Sequence, residues 1–250
     1  METGIVSAEV RIFADPELTC AAVADSLNEL ARQCLAGCQR FTIALSGGET
    51  PRRLYQILAE AYADTLPWAK LHVFFGDDRF VAHEDPNSNY KMAKEALLDH
   101  VPLPPGNVHP MPTFFRDSVE AAAEYEATLK EYFHYKWPRF DLALQGMGPD
   151  GHTASIFPHS PALHQHDRWV MAVEESTAEP PRRLTVTLPV LNNASHVWFL
   201  VTGADKAEAV TRALSDDTDP EECPAAAVRP ADGELLWWLD QEAAAAICRE

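Results

Sequence analysis

A Rossmann-like three-layer α/β/α sandwich with a mostly parallel central sheet is the fold this sequence predicts, and three observations predict it. Short apolar runs of strand length recur at residues 41–45, 71–75, 140–145 and 196–201. Between them lie stretches with apolar residues at helical spacing, the alternation expected of parallel strands joined by crossover helices. Glycine-rich or charged clusters follow several of the strands, where open α/β sheets place their ligands. At 250 residues and 46% hydrophobic content, the chain suits one domain, residues 1–250, with a sizeable core.

In chain order, residues 9–13 read as a peripheral strand. Asp15 and Pro16 follow as N-cap and first helical residue, and Leu18, Ala22, Leu27, Leu30, Ala31 and Cys34 lay down an apolar stripe that Gly37 stops. After the strand at 41–45 comes Ser46-Gly47-Gly48-Glu49-Thr50-Pro51, in which Thr50 is expected to cap and Pro51 to open a second helix. The strand at 71–75 ends in Gly76-Asp77-Asp78-Arg79. Ser88 and Asn89 are expected to cap a helix over 90–100. Asp117 caps another, with Val119, Ala122, Tyr125, Leu129 and Tyr132 as its core stripe. The strand at 140–145 runs into a glycine-rich turn, and a helical turn is expected from Thr153 until Pro158 stops it. Further strands are expected at 168–173, 182–189, 196–201 and 234–239, with Glu174–Pro181 as a polar turn and Asp240 capping a short Ala-rich helix.

Composition narrows the function. No apolar run is long enough to span a bilayer, and residues 1–6 lack the basic start and apolar core of a signal peptide, so a cytoplasmic protein with no membrane partner is expected. Cys20, Cys34, Cys38, Cys223 and Cys248, an odd number, fit reduced thiols in that compartment. Cys34 and Cys38 lack further ligands for a metal, and His159, His164 and His166 read as surface residues, so no metal site is expected. A net charge of −18 disfavours nucleic acid but not a small phosphorylated ligand, provided cationic side chains and backbone N–H groups converge locally. No feature of the sequence fixes an oligomeric state.

The candidate chemistry sits in Gly146-Met147-Gly148-Pro149-Asp150-Gly151-His152-Thr153-Ala154-Ser155-Ile156-Phe157-Pro158. Histidine titrates near neutrality and can serve as general acid or base, and a carboxylate two residues away can orient its ring. Taken alone, Asp150 and His152 also fit an ordinary turn. Ser46, Gly47 and Gly48 likewise fit either a plain turn or an anion cradle between strand and helix.

The whole run resembles the Gly-Met-Gly-x-Asp-Gly-His-Thr-Ala-Ser-Leu-Phe-Pro signature of the 6-phosphogluconolactonase family, with Ile156 in place of leucine. Four other blocks extend the resemblance in order. They are the Ser-Gly-Gly-x-Thr-Pro motif at Ser46, a Gly-Asp-Glu-Arg motif at Gly76 with its Ser-Asn sequel, an Arg before a Thr-rich strand at Arg183, and a Gly-x-x-Lys at Lys206. Asp78 stands where that family has glutamate. The resemblance implies hydrolysis of 6-phospho-D-glucono-1,5-lactone to 6-phosphogluconate, in the oxidative pentose phosphate pathway, with neither metal nor organic cofactor. It further implies His152 as general base supported by Asp150, with Asp77 and Arg79 among the catalytic residues. Ser46, Gly47, Gly48, Thr50 and Lys206, with Arg183, would hold the phosphate. Backbone N–H groups of the glycine turn or Arg79 are candidates for the oxyanion. Asp78 is expected to support Arg79 rather than to touch substrate. Two rivals are an amino-sugar-phosphate deaminase/isomerase, whose signature carries a glutamate after the histidine that this chain lacks, and a non-catalytic sugar-phosphate sensor.

Overall fold

The computed structural model describes residues 8–174 and 178–247. Residues 1–6, Cys248 and the middle of the expected turn at 174–181 lie outside that range. The elements run β1 (Glu9–Phe13), α1 (Pro16–Gly37), β2 (Phe41–Leu45), α2 (Glu49–Tyr62), β3 (Leu71–Phe75), β4 (Asp77–Arg79), α3 (Asn89–Ala93), α4 (Ser118–Tyr132) and β5 (Leu142–Gln145). They continue with β6 (Val170–Val173), β7 (Arg183–Val186), α5 (Leu188–Leu191), β8 (His196–Val201), α6 (Ala207–Leu214) and β9 (Glu234–Asp240).

Six strands form a wholly parallel sheet in the order β1-β9-β8-β5-β2-β3, the Rossmann-like α/β sandwich expected. Its middle strands are buried on both faces, which is why they read as unbroken apolar runs rather than alternating ones. Every residue of β2 is buried, and each fully buried large apolar side chain contributes about 1.5–3 kcal/mol relative to exposure. In β8 and β9, Phe199 stacks on Trp237 with ring centroids 4.0 Å apart. At the edge, β1 shows Glu9 and Arg11 to solvent, bonded to each other at 2.7 Å, and charged side chains there discourage pairing with another chain.

Strand order locates the ligand site. From β2 the chain moves outward to β3, then returns to place β5 on the other side of β2. The carboxyl ends of β2 and β5 therefore flank a crevice where the winding direction reverses, the usual binding position in such sheets.

Several local expectations need correcting. Residues 77–79, placed only as the end of the strand at 71–75, are a strand of their own. They form β4, which leaves the main sheet and joins an antiparallel three-stranded sheet in the order β4-β7-β6. No helix begins at Thr153: Thr153 and Ile156 form an isolated bridge and Ala154 between them has φ of 48°, so the chain turns back sharply. The helix after Ser88 is α-helical only to Ala93 and widens into a π-helical turn over Lys94–Leu98. Val119 faces solvent, because Ala121, Ala122, Tyr125 and Leu129 carry the buried face of α4. Pro189 lies in the first turn of α5 rather than ending a strand. Asp240 accepts the Ala243 N–H at 2.8 Å as a cap would, but residues 241–246 form turns rather than a helix.

Candidate active site

β2 delivers the first loop. Tyr55, fully buried on α2, fixes it by donating its hydroxyl to Ser46 O at 2.8 Å and accepting the Ser46 N–H at 3.1 Å. Gly48 has φ of 109°, a left-handed conformation that glycine adopts without a Cβ clash. α2 begins immediately after it with no side-chain cap, so its first N–H groups and positive dipole end are available to an anion. Thr50 lies inside that first turn rather than capping it. Its hydroxyl meets the Thr202 hydroxyl at 2.8 Å, just beyond β8. Lys206, immediately before α6, lines the same cleft and reaches the Asp205 carboxylate at 2.7 Å.

β5 delivers the second loop. His152 Nδ1 and Asp150 Oδ1 lie 2.6 Å apart, and the same oxygen accepts the His152 backbone N–H at 3.1 Å. The ring rests on Phe157, with centroids 4.4 Å apart. Burial raises the Asp150 pKa, but the hydrogen bonds from His152 outweigh it and hold the carboxyl below its ordinary value. An ionised Asp150 keeps the ring proton on Nδ1. Nε2, with no partner among the described residues, is then left with a lone pair, and His152 lines the cleft.

The third side comes from the small sheet. Arg79 on β4 and Arg183 on β7 are cross-strand partners. Arg79 Nη1 donates to Asn87 O at 2.8 Å and to Asn89 Oδ1 at 2.9 Å, while Nε is buried without a partner among the described residues. Burial draws the Arg183 guanidinium below its usual pKa and Asp77 opposes that shift. Its Nε donates to Pro180 O at 3.1 Å. Asp77, 5% exposed, accepts the Ser155 hydroxyl at 2.6 Å and an Asn89 Nδ2 hydrogen at 3.3 Å.

These residues enclose one cleft of about 330 Å³. Ser46, Gly47, Gly48, Thr50, Asp77, Arg79, His152, Arg183 and Lys206 all line it, and Asp150 stands behind His152. Positive groups thus converge locally in an acidic chain. Arg183, across the small sheet from Arg79, has Asp77, Asp78 and Arg79 among its charged neighbours. Asn89, Ser155 and Thr202 were not among the expected site residues. Asn89 was visible in the Ser-Asn sequel to Arg79, but its helix position suggested a cap. Thr202, at the carboxyl end of β8, carried only its location as a signal.

Asp78 does not pair with the Arg79 guanidinium. Its carboxylate is fully buried and accepts backbone N–H groups of Arg79, Asn89 and Tyr90 together with the Ser88 hydroxyl. Burial pushes its pKa up to about 6, against the pull of those N–H donors, and the Asp77 charge adds to the rise. It does not line the cleft. Asp78→Glu is therefore expected to change kcat/KM only modestly and to cost about 1–3 kcal/mol of stability by overpacking. Chemical denaturation beside steady-state kinetics checks both.

Residues 14–237 match the model of the family described as glucosamine-6-phosphate isomerases/6-phosphogluconolactonase. The chain belongs to this family. A 6-phosphogluconolactonase of Synechocystis sp. is 47% identical over 205 residues, covering 81% of this chain and 82% of that protein. The 6-phosphogluconolactonase of Mycobacterium leprae is 38% identical across 97% of this chain and 99% of its own length. The solved 6-phosphogluconolactonase of Trypanosoma cruzi superposes with a TM-score of 0.88 at 29% identity, covering 98% of both chains. No helix among this chain's described residues is long and apolar enough to cross a membrane.

His159 and His164, at the far end of the His152 segment, face Glu221 and Glu222, with His164 Nε2 2.9 Å from Glu221 Oε1. Cys20, Cys34, Cys38 and Cys223 are free thiols.

Proposed function

We propose that this chain is a 6-phosphogluconolactonase, hydrolysing 6-phospho-D-glucono-1,5-lactone to 6-phospho-D-gluconate in the oxidative pentose phosphate pathway. The observation that carries the reading is the His152–Asp150 pair, its ring bonded at 2.6 Å through Nδ1, beside an uncapped helix N-terminus that suits a phosphate. Residues 1–250 act as one domain in the cytosol.

The phosphate lies against Gly48 and the first turn of α2, with the Ser46, Thr50 and Thr202 hydroxyls and the Lys206 ammonium around it. That anchor places the lactone carbonyl toward His152. Nε2 takes a proton from water as the oxygen attacks the carbonyl carbon, and Asp150 stabilises the imidazolium that forms. Negative charge grows on the carbonyl oxygen. The Arg79 guanidinium and the backbone N–H groups of Gly146 and Met147 line the cleft and are the donors that can meet it, the Gly148 N–H being taken by His152 O. When the tetrahedral intermediate collapses, the ring oxygen leaves and takes the proton from His152. Every step uses side chains of this protein, water and substrate. Ser155, the serine nearest the signature histidine in sequence, is committed to Asp77, so no serine nucleophile is invoked.

The deaminase/isomerase reading is weaker because Thr153-Ala154-Ser155-Ile156 supplies no carboxylate after His152 to assist ring opening. A sensor would need the phosphate cradle but not a held imidazole. Lactone hydrolysis measured beside amino-sugar phosphate deamination decides among them; turnover of the amino sugar and not the lactone would overturn the proposal.

Lys206 tests the phosphate end. Lys206→Ala is expected to raise KM for the phosphorylated lactone about 10-fold, equivalent to one charge-assisted hydrogen bond, and to leave the unphosphorylated lactone nearly unaffected. Equal losses on both substrates would move Lys206 from binding to structure.

A further inference from the structure

The turn after Arg79 does more than start a helix. The chain leaves β4, returns at Ser88, and is fastened on return by one side chain. Asp78 accepts N–H groups from Arg79 at 2.8 Å, Asn89 at 2.6 Å and Tyr90 at 3.1 Å, and the Ser88 hydroxyl at 3.2 Å. A carboxylate removed from water and surrounded by donors fixes those donors in return, since moving any of them exposes an uncompensated charge.

Of the residues so fixed, Arg79 and Asn89 line the cleft, and Asn89 joins the two charged groups there. Its Nδ2 donates to Asp77 O at 3.0 Å and to Asp77 Oδ1 at 3.3 Å, while its Oδ1 accepts from Arg79 Nη1 at 2.9 Å. One planar amide therefore spaces a buried carboxylate from a guanidinium, and neither can shift without breaking a bond to it. The fit is closed on another side by Gly47, where a Cβ would lie 1.9 Å from Asn89 Oδ1. The cleft loop after β2 is bare at that point, and the amide occupies the space.

We propose that Asn89 is a positioning residue for the hydrolysis, holding Arg79 and Asp77 in register across the cleft, with Asp78 as the anchor that sets its place. This rests on the lactonase reading. Asn89 acts through Arg79, so its removal costs turnover and not phosphate affinity. It also acts as a donor to Asp77, so the two arms separate by substitution. Asn89→Ala removes both. Asn89→Asp keeps an acceptor for Arg79 but sets a second carboxylate against Asp77 unless the introduced group is protonated, and like charges so close favour a shared proton.

A double-mutant cycle with Arg79→Ala, read as kcat and KM on the phosphorylated lactone, tests the inference. Asn89→Ala is expected to lower kcat on the order of 10-fold, less than the loss for a full ångström of misplacement, with KM unchanged. In the Arg79→Ala background it is expected to cost clearly less than it does alone, since only the Asp77 arm remains to be lost. Asn89→Asp is expected to gain activity relative to wild type as pH falls from about 8 to about 6, because the protonated carboxyl restores the donor. Should Asn89→Ala fail to fold, the same-sized Asn89→Asp carries the test alone. Losses that multiply across the cycle, a change confined to KM, or a flat relative pH profile would each overturn the inference in an active enzyme. Absence of lactone turnover in the wild type would instead overturn the functional reading, and this inference with it.

Discussion

Replacing His152 by Asn is expected to leave a folded protein whose lactone turnover has fallen about 10²–10⁴-fold, the usual contribution of a positioned general base. The expectation follows from what the ring does and does not touch. Nδ1 is committed to Asp150 and Nε2 has no partner among the described residues, so the imidazole carries no other part of the polar framework. Asn can still offer an N–H to Asp150, but it has no basic nitrogen to receive the proton of the attacking water. The side chain is 23% exposed and its apolar contact is one face on Phe157, so little stability should be lost. KM should stay near its wild-type value, because the phosphate is held by groups on other loops. The measurement is initial rate at saturating lactone, corrected for spontaneous ring opening, with a thermal melt on the same sample. Near-normal turnover by the Asn variant would remove His152 from the chemistry.

Much of this site was legible in the sequence because its parts follow strands that are easily read. The runs 41–45, 71–75 and 196–201 are buried on both faces, and unbroken apolar character is the strongest signal a parallel strand gives. The glycine loops after β2 and β5 could be placed from those strands alone. What escaped depended on contacts between distant residues. Thr50 has the neighbours of a cap, yet its hydroxyl meets that of a residue 152 positions later. The helical turn expected from Thr153 gave way because the Ser155 hydroxyl is bonded to Asp77 on another element, and the chain bends at Ala154 to bring it there. β4 was hidden by its length of three residues and its charge, Asp77, Asp78 and Arg79, which resemble a solvated loop until β7 is paired with them. Asp78 shows the same limit. Its charge suggested an ion pair with Arg79, whereas folding surrounds it with backbone donors that no side-chain pattern announces.

Gly148→Ala is expected to reduce kcat by about 10²-fold or more while leaving KM and the melting temperature close to wild type, since a 1 Å misplacement of a catalytic group can cost that much. Gly148 is not a turn glycine in the left-handed region, so alanine carries no backbone penalty there. The difficulty is space. A Cβ built at Gly148 would lie 2.2 Å from His152 Nδ1, 2.3 Å from Cε1 and 2.5 Å from Asp150 Oδ1. Both obstructing side chains are partly exposed, so the protein can relieve the overlap by pushing the ring and carboxylate apart. Folding is spared and the dyad is not. The Gly148 N–H to His152 O bond at 2.9 Å and the Gly151 N–H to Gly148 O bond at 3.0 Å close the turn so tightly that backbone drift cannot supply the room instead. Gly37→Ala is the matching control: it ends α1 with nothing within 4 Å of its added Cβ and lies outside the cleft, so activity should not change. Wild-type turnover in Gly148→Ala would mean that the 2.6 Å contact between His152 and Asp150 is not needed for catalysis. A large fall in melting temperature would place the cost in the turn itself. Loss of kcat alone ties the missing side chain at Gly148 to the placement of the base.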